Sequence, residues 1–196
     1  MRVIRLVLCT ESPLVLAVRH SAIGGATPTL DYIAGTVVRG ALATAVLSQG
    51  ATATSQQFQT LFASDQVRYG NLYPTIAEGA PRSWPIPMTA WSCKHQAGFL
   101  PDVTEPQYGG EAHGVLDTLC AQLDGRAWQA PYDRCQQVGC DSQRERYDGY
   151  YVQTATGYAH PTHERRLLTR TAIDGRWGTA RSGALYTTEA IAEKSY

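Results

Sequence analysis

Apolar positions along this chain come mostly in short tracts, and only one tract is long enough for a substantial helix. Residues 2–9 (RVIRLVLC) are rich in Val, Ile and Leu, and a second apolar run covers residues 13–18. Both read as strands, or as a strand and a bend, at the edge of a sheet. Small residues at 21–28 (SAIGGATP), with two adjacent glycines, mark a loop leading through residues 29–35 into a helix start. Residues 37–47 (VVRGALATAVL) are apolar on nearly every side, the pattern of a helix buried against a sheet. Thr36 stands at its N-cap position and Gly50 where it should stop. Residues 58–62 predict a short helix, and residues 67–73 (VRYGNLY) a strand closed by Pro74.

From residue 78 to 148 the texture changes. Prolines at 81, 85, 87, 101, 106 and 131, scattered glycines and four of the five cysteines predict an inserted segment. Within it residues 115–123 (VLDTLCAQL) carry helical spacing. Residues 149–153, 166–173 and 183–191 then read as strands, the last two joined by a glycine-containing turn at 174–183. The expected division is 1–77 for the first part of a core, 78–148 for the insertion and 149–196 for the return to the core. No closing element precedes Tyr196, so the chain is expected to be incomplete at its C-terminus.

With 196 residues, 43% of them hydrophobic, the chain is expected to be globular. Seventeen basic residues balance seventeen acidic ones, so bulk electrostatics gives no pull toward nucleic acid, and any grip on RNA must be local. The cations are almost all Arg, whose planar fork suits phosphate and whose face suits a base; Lys94 and Lys194 are the exceptions. No apolar run reaches the length of a membrane span, and residues 1–9 alternate charge with apolar residues where a signal peptide needs an unbroken apolar stretch. The expected location is therefore the cytoplasm, with no membrane partner. An odd number of cysteines there argues for metal binding or burial over a disulfide framework.

Cys135 and Cys140 are separated by four residues ending in Gly139, a spacing that lets a tight turn offer two thiolates to one zinc ion. Cys93 and His113 are the candidates that complete the site, with Cys120 a possible substitute whose place in an apolar helical pattern favours burial. Four protein ligands would make the zinc structural, a staple for a segment too small to build its own core; the alternative is unpaired thiols in a loop. A second cluster, Arg165, Arg166, Arg170, Arg176 and Arg181, faces one acid within its own stretch, Asp174. Strand alternation places Arg166 and Arg170 on one side, with Trp177 in the adjoining loop free to stack on a base, unless the hairpin simply turns its cations to water. Backbone N–H groups at 36–38 and the charge of Arg39 offer a phosphate site at the helix start, with Gly40 allowing close approach of a backbone; tight helix packing at Gly40 is the competing reading. Arg19 and His20 precede the Gly-Gly loop within reach of the same strand of RNA.

Two strings, residues 29–42 (TLDYIAGTVVRGAL) and 168–189 (LTRTAIDGRWGTARSGALYTTE), resemble RAMP-superfamily proteins of type III CRISPR effector complexes. Between them residues 67–74 (VRYGNLYP), 87–94 (PMTAWSCK), 113–119 (HGVLDTL) and the Cys135, Cys140 pair before Gly149, Tyr150 and Tyr151 follow in the order of the type III-D family called Csx-ten, which takes the Cas-five position. Ala34 stands where that family usually has proline. The resemblance implies an α+β fold with a ferredoxin-like (RRM-like) core. It implies a subunit that holds CRISPR RNA, at its repeat-derived five-prime handle, beside other RAMP subunits, the large signalling subunit and target RNA. Thr36, Arg39, Arg166, Arg170, Arg176, Trp177 and Arg181, with Arg19 and His20, are the residues expected to touch RNA. The alternative is a target-cleaving backbone subunit, a metal-dependent endoribonuclease in which Asp31 would act with a divalent ion. A lone carboxylate is weak support for that chemistry, and Asp31 also suits a turn cap.

Overall fold

A computed structural model of the chain describes residues 3–16, 26–100 and 112–196, with 180–184 by backbone alone. In chain order the elements are α1 (Gly35–Ser48), the short helix α2 (Gln56–Phe58) running on as a π-helical turn (Gln59–Ala63), β1 (Ser83–Pro85), β2 (Ala90–Cys93), β3 (Val115–Asp117), α3 (Leu119–Leu123), β4 (Arg144–Arg146), β5 (Tyr150–Gln153), β6 (Tyr158–Ala159), β7 (Arg165–Ile173) and β8 (Ala180–Ile191). The fold is mixed α+β with small antiparallel sheets in the orders β1-β5-β6, β3-β2-β4 and β7-β8. Two compact units form: Met1–Tyr73 with His163–Tyr196, and Pro74–Thr162. No helix among the described residues is long and apolar enough to cross a membrane.

In the first unit β7 and β8 make a long antiparallel hairpin. Asp174 builds its turn, because its carboxylate accepts from the backbone N–H groups of Arg176 (2.8 Å) and Trp177 (3.3 Å), an Asx-type turn that Gly178 completes with φ +64°. On its other edge β8 receives single bridges from Leu14 (antiparallel) and Thr27 (parallel).

Helix α1 begins two residues earlier than its sequence implies, with Ala34 at the N-cap and no side-chain cap; Thr36 is exposed inside the first turn. The side chain of Asn71 reaches across to accept from Gly35 N at 2.9 Å. Gly50 stops the helix as expected: with φ +93° it sends its N–H to Leu47 O (3.0 Å) while Ala51 N–H returns to Val46 O (3.3 Å), a Schellman pair. The expectation of a buried helix is corrected. Only Gly35 and Val38 are buried; Val37, Leu42 and Leu47 stay exposed, because among the described residues few neighbours reach the helix. Gly35, not Gly40, allows the close approach: a Cβ there would run into the carbonyl of Tyr69, whereas one at Gly40 meets nothing within 4 Å. Residues 3–8 are exposed and form no strand, and the stretch 67–73 contributes only the bridge Ile33–Leu72.

In the second unit the expected return to the core at residue 149 occurs instead at 163. Strand β5 pairs with β1 and β6, so it closes the inserted unit. Gly149 opens that strand with φ +106°, packed so closely on the His160 ring that a Cβ would collide with it. Residues 115–123 split into β3 and α3, where Thr118 turns the chain by donating its hydroxyl to Thr89 O at 2.6 Å. The fully buried side chains are small, Val152, Thr118, Cys93 and Ser92 being the largest among the described residues. Of the larger apolar side chains of this unit, Trp91 and Ile86 are also buried.

Candidate metal centre

A cluster of candidate metal ligands is built around β2. Cys93 ends the strand, and its neighbours β3 and β4 bring in the other ligands from either side. His113 precedes β3, and the segment entering β4 carries Cys135 and Cys140. Cys135 N–H donates to Ser142 O (2.8 Å) and Arg134 bridges Gln143, so the chain folds back on itself between them. Gly139, at φ +81°, tightens the turn and lets Cys140 N–H reach Gln137 O (3.0 Å). Both thiols of the loop then face Cys93 and His113.

One donor atom from each of Cys93, His113, Cys135 and Cys140 lies within 4.8 Å of all the others, so this quartet could hold a metal ion. The spacing suits tetrahedral coordination, for metal–sulfur bonds of about 2.3 Å put two sulfurs about 3.8 Å apart. Cys93 Sγ and Cys140 Sγ are 3.8 Å apart, and His113 Nδ1 is 3.2 Å from Cys135 Sγ. Three soft sulfurs and an imidazole nitrogen are a donor set compatible with zinc. Hydrogen bonds from the Ser142 side chain and backbone lower the Cys140 thiol to about 6, leaving it largely thiolate at neutral pH, the form that ligates metals. Burial pushes the Cys135 thiol upward, a barrier that a cation among these sulfurs would remove. Cys120 is exposed and outside the quartet, as is Cys9.

The other sequence candidates lie in the first unit. Pairing of Arg166 with Ala190 and of Arg170 with Tyr186 sets both arginines on one face of the hairpin. The strip is less bare of acids than its own stretch implies, because β8 and the residues after it supply partners. Arg166 contacts Glu193 at 2.7 Å, and Arg165 contacts Glu189 at 3.2 Å and also Asp31. Arg170 and Arg176 make no ion pair with a described residue. Arg176 instead lies 5.2 Å over the Trp177 ring, which is 71% exposed. Arg39 is exposed on α1. Arg19, His20 and the Arg181 side chain lie outside the described residues.

Asp31 is held by Arg165, and His163 Nε2 is 3.6 Å from the same carboxylate. The His163 side chain is 8% exposed and its Nε2 finds no hydrogen-bond partner. Burial lowers its pKa, outweighing the attraction of Asp31, so at neutral pH this contact joins a carboxylate to a neutral ring. Nothing in the sequence near residue 31 announces His163; the two meet only because β7 returns beside the segment that leads into α1. Comparison with protein-family models and with curated proteins finds no match for the chain.

Proposed function

We propose that this chain is an RNA-binding subunit of a type III CRISPR ribonucleoprotein, with a ferredoxin-like RAMP core in the first unit and a zinc-stapled insertion as the second. In this reading it holds CRISPR RNA, at the repeat-derived handle, and contacts neighbouring RAMP subunits in antiviral defence. The observation that carries it is the β7–β8 hairpin. Nearly every residue of β7 is exposed, and near its turn Arg170 and Arg176 make no ion pair with a described residue while the Trp177 indole beside Arg176 is exposed. Phosphate contacts from arginine with base stacking on an aromatic ring are the recurring means of holding single-stranded RNA. The zinc is structural, as four protein ligands leave no position for a reacting water.

The test is the double substitution Arg170→Ala, Arg176→Ala, with guide-RNA affinity measured across a salt series in the assembled complex. Affinity should fall for every sequence, and the salt slope should flatten by about 0.7 per lost contact, the single-strand value. Wild-type affinity and slope in an intact complex would assign these arginines to solvent or to a neighbouring subunit. Co-purification of RNA and other CRISPR subunits with the chain tests the wider assignment.

A further inference from the structure

A second surface, on the inserted unit, combines the same two chemistries. Met88, Trp91, Gln122, Trp128 and strand β4 from Arg144 to Arg146 line an open concavity of about 420 Å³. Trp91 is nearly buried, fixed on β2 opposite Leu116 on one side and Arg146 on the other. Trp128 leans on it with ring centroids 4.5 Å apart and planes tilted by 55°, yet is itself 77% exposed. Met88 beside them is 74% exposed.

The backbone that carries Trp128 is pinned. Arg126 N–H donates to Ala121 O (2.8 Å), Gln129 N–H to Arg126 O (3.0 Å), and Ala127 is buried between them. Alternation along β4 turns Arg144 and Arg146 to the face of Trp91 and Cys93, and Glu145 to the other face with Ser92. Neither arginine makes an ion pair with a described residue. An indole held in place, open on one side and flanked by two cations fits a planar, electron-rich ring attached to an anion: a nucleotide base with its phosphate. A purely apolar partner would leave both guanidinium groups without a counter-charge.

We infer that this concavity is a nucleotide-binding subsite of the inserted unit, in which Trp128 stacks on a base of single-stranded RNA and Arg144 and Arg146 hold the adjoining phosphates. The inference rests on the RNA-binding reading for its ligand, but not on the hairpin. It also gives the metal centre a second consequence, since Cys93 and Cys135 anchor the strand and the loop that bear the two indoles.

The test uses the full metal-loaded chain and a fluorescent, unstructured oligouridylate, with a bromouridine version for photo-crosslinking. Trp128→Ala should weaken binding roughly 5- to 150-fold, the range of one lost stacked base, while Trp128→Phe keeps most of the affinity. Arg146→Gln should flatten the salt slope by about 0.7, the value for one lost phosphate contact on a single strand. Crosslinks should map to Trp128, with metal content unchanged in every variant. If Trp128→Ala binds as wild type while the Arg170, Arg176 double variant does not, the subsite is overturned and the hairpin stands. If Trp128→Ala weakens binding and the double variant does not, the subsite stands and the hairpin falls. A Trp128→Ala change in self-association with no change in RNA affinity would mean that a second copy covers this face, and would overturn the subsite.

Discussion

The Sγ atoms of Cys93 and Cys140 stand 3.8 Å apart although the residues are 47 positions apart in the chain. Chain closure over that length is entropically costly. A bound zinc ion would offset it, since structural zinc in small peptides contributes about 10–16 kcal/mol at neutral pH. Purified protein should therefore contain about one zinc per chain. Cys140→Ala and Cys93→Ala should lose it, and Cys120→Ala should retain it. A strong chelator should expose residues 74–162 to limited proteolysis; a metal-free protein equally resistant to protease would refute the staple.

The two glycines near the start of α1 should respond in opposite directions. A methyl group at Gly35 meets the Tyr69 carbonyl, which belongs to backbone and cannot swing away, so Gly35→Ala should destabilise the first unit by about 1–3 kcal/mol. Gly40 sits on an open face of the helix, where alanine removes only unfolded-state freedom. Gly40→Ala should stabilise by about 0.5–1 kcal/mol. Urea midpoints of both variants decide the matter, and a destabilised Gly40→Ala would restore the idea that a backbone packs there.

The metal quartet was legible in the sequence because its signal is chemical. Two cysteines flank a turn ending in Gly139, within a proline-rich tract that holds four of the five cysteines, and that restricts what the thiols can do. The β7–β8 hairpin was legible because its strands are long, rich in Thr and aliphatic residues, and separated by a turn carrying Asp174, Gly175 and Gly178. Strands of three or four residues, such as β3 and β4, are too short for a period to show, so residues 115–117 merged with the helical pattern of α3. The exposure of α1 and of residues 3–8 was not legible at all, since an apolar tract states its preference for burial but not whether a partner reaches it. For the same reason the sequence places β5 with the core: it reads as a strand, and only its pairing with β1 and β6 says which sheet it joins. Asp31 with His163, and Trp91 with Trp128, are meetings of distant segments that leave no local trace.

Stability of the first unit should depend on pH through His163. Burial lowers its folded pKa below the ordinary 6.5, with Asp31 pulling upward and Arg165 downward. In the window below 6.5 the unfolded chain binds the proton more readily than the folded one, so stability is complete above that pH and is lost as pH falls toward the folded value. His163→Gln should flatten this dependence between neutral and mildly acidic pH in urea titrations. An unchanged slope would place the acid sensitivity elsewhere.

Asp31 separates the binding reading from the enzymatic one. Its carboxylate is engaged by Arg165, which is shared with Glu189, so a divalent ion would have to displace a guanidinium before it could activate water. The pair is two-fifths exposed, and solvent screening limits what it contributes to folding. Asp31→Asn should accordingly lower stability by under about 1 kcal/mol, and Arg165 would retain its contact with Glu189. In an assembled complex the variant should bind guide RNA as before and leave any cleavage of complementary RNA at its wild-type rate. Loss of that cleavage from a folded, guide-loaded complex would mean that the ion pair gives way to a metal during the reaction, and that Asp31 is catalytic after all.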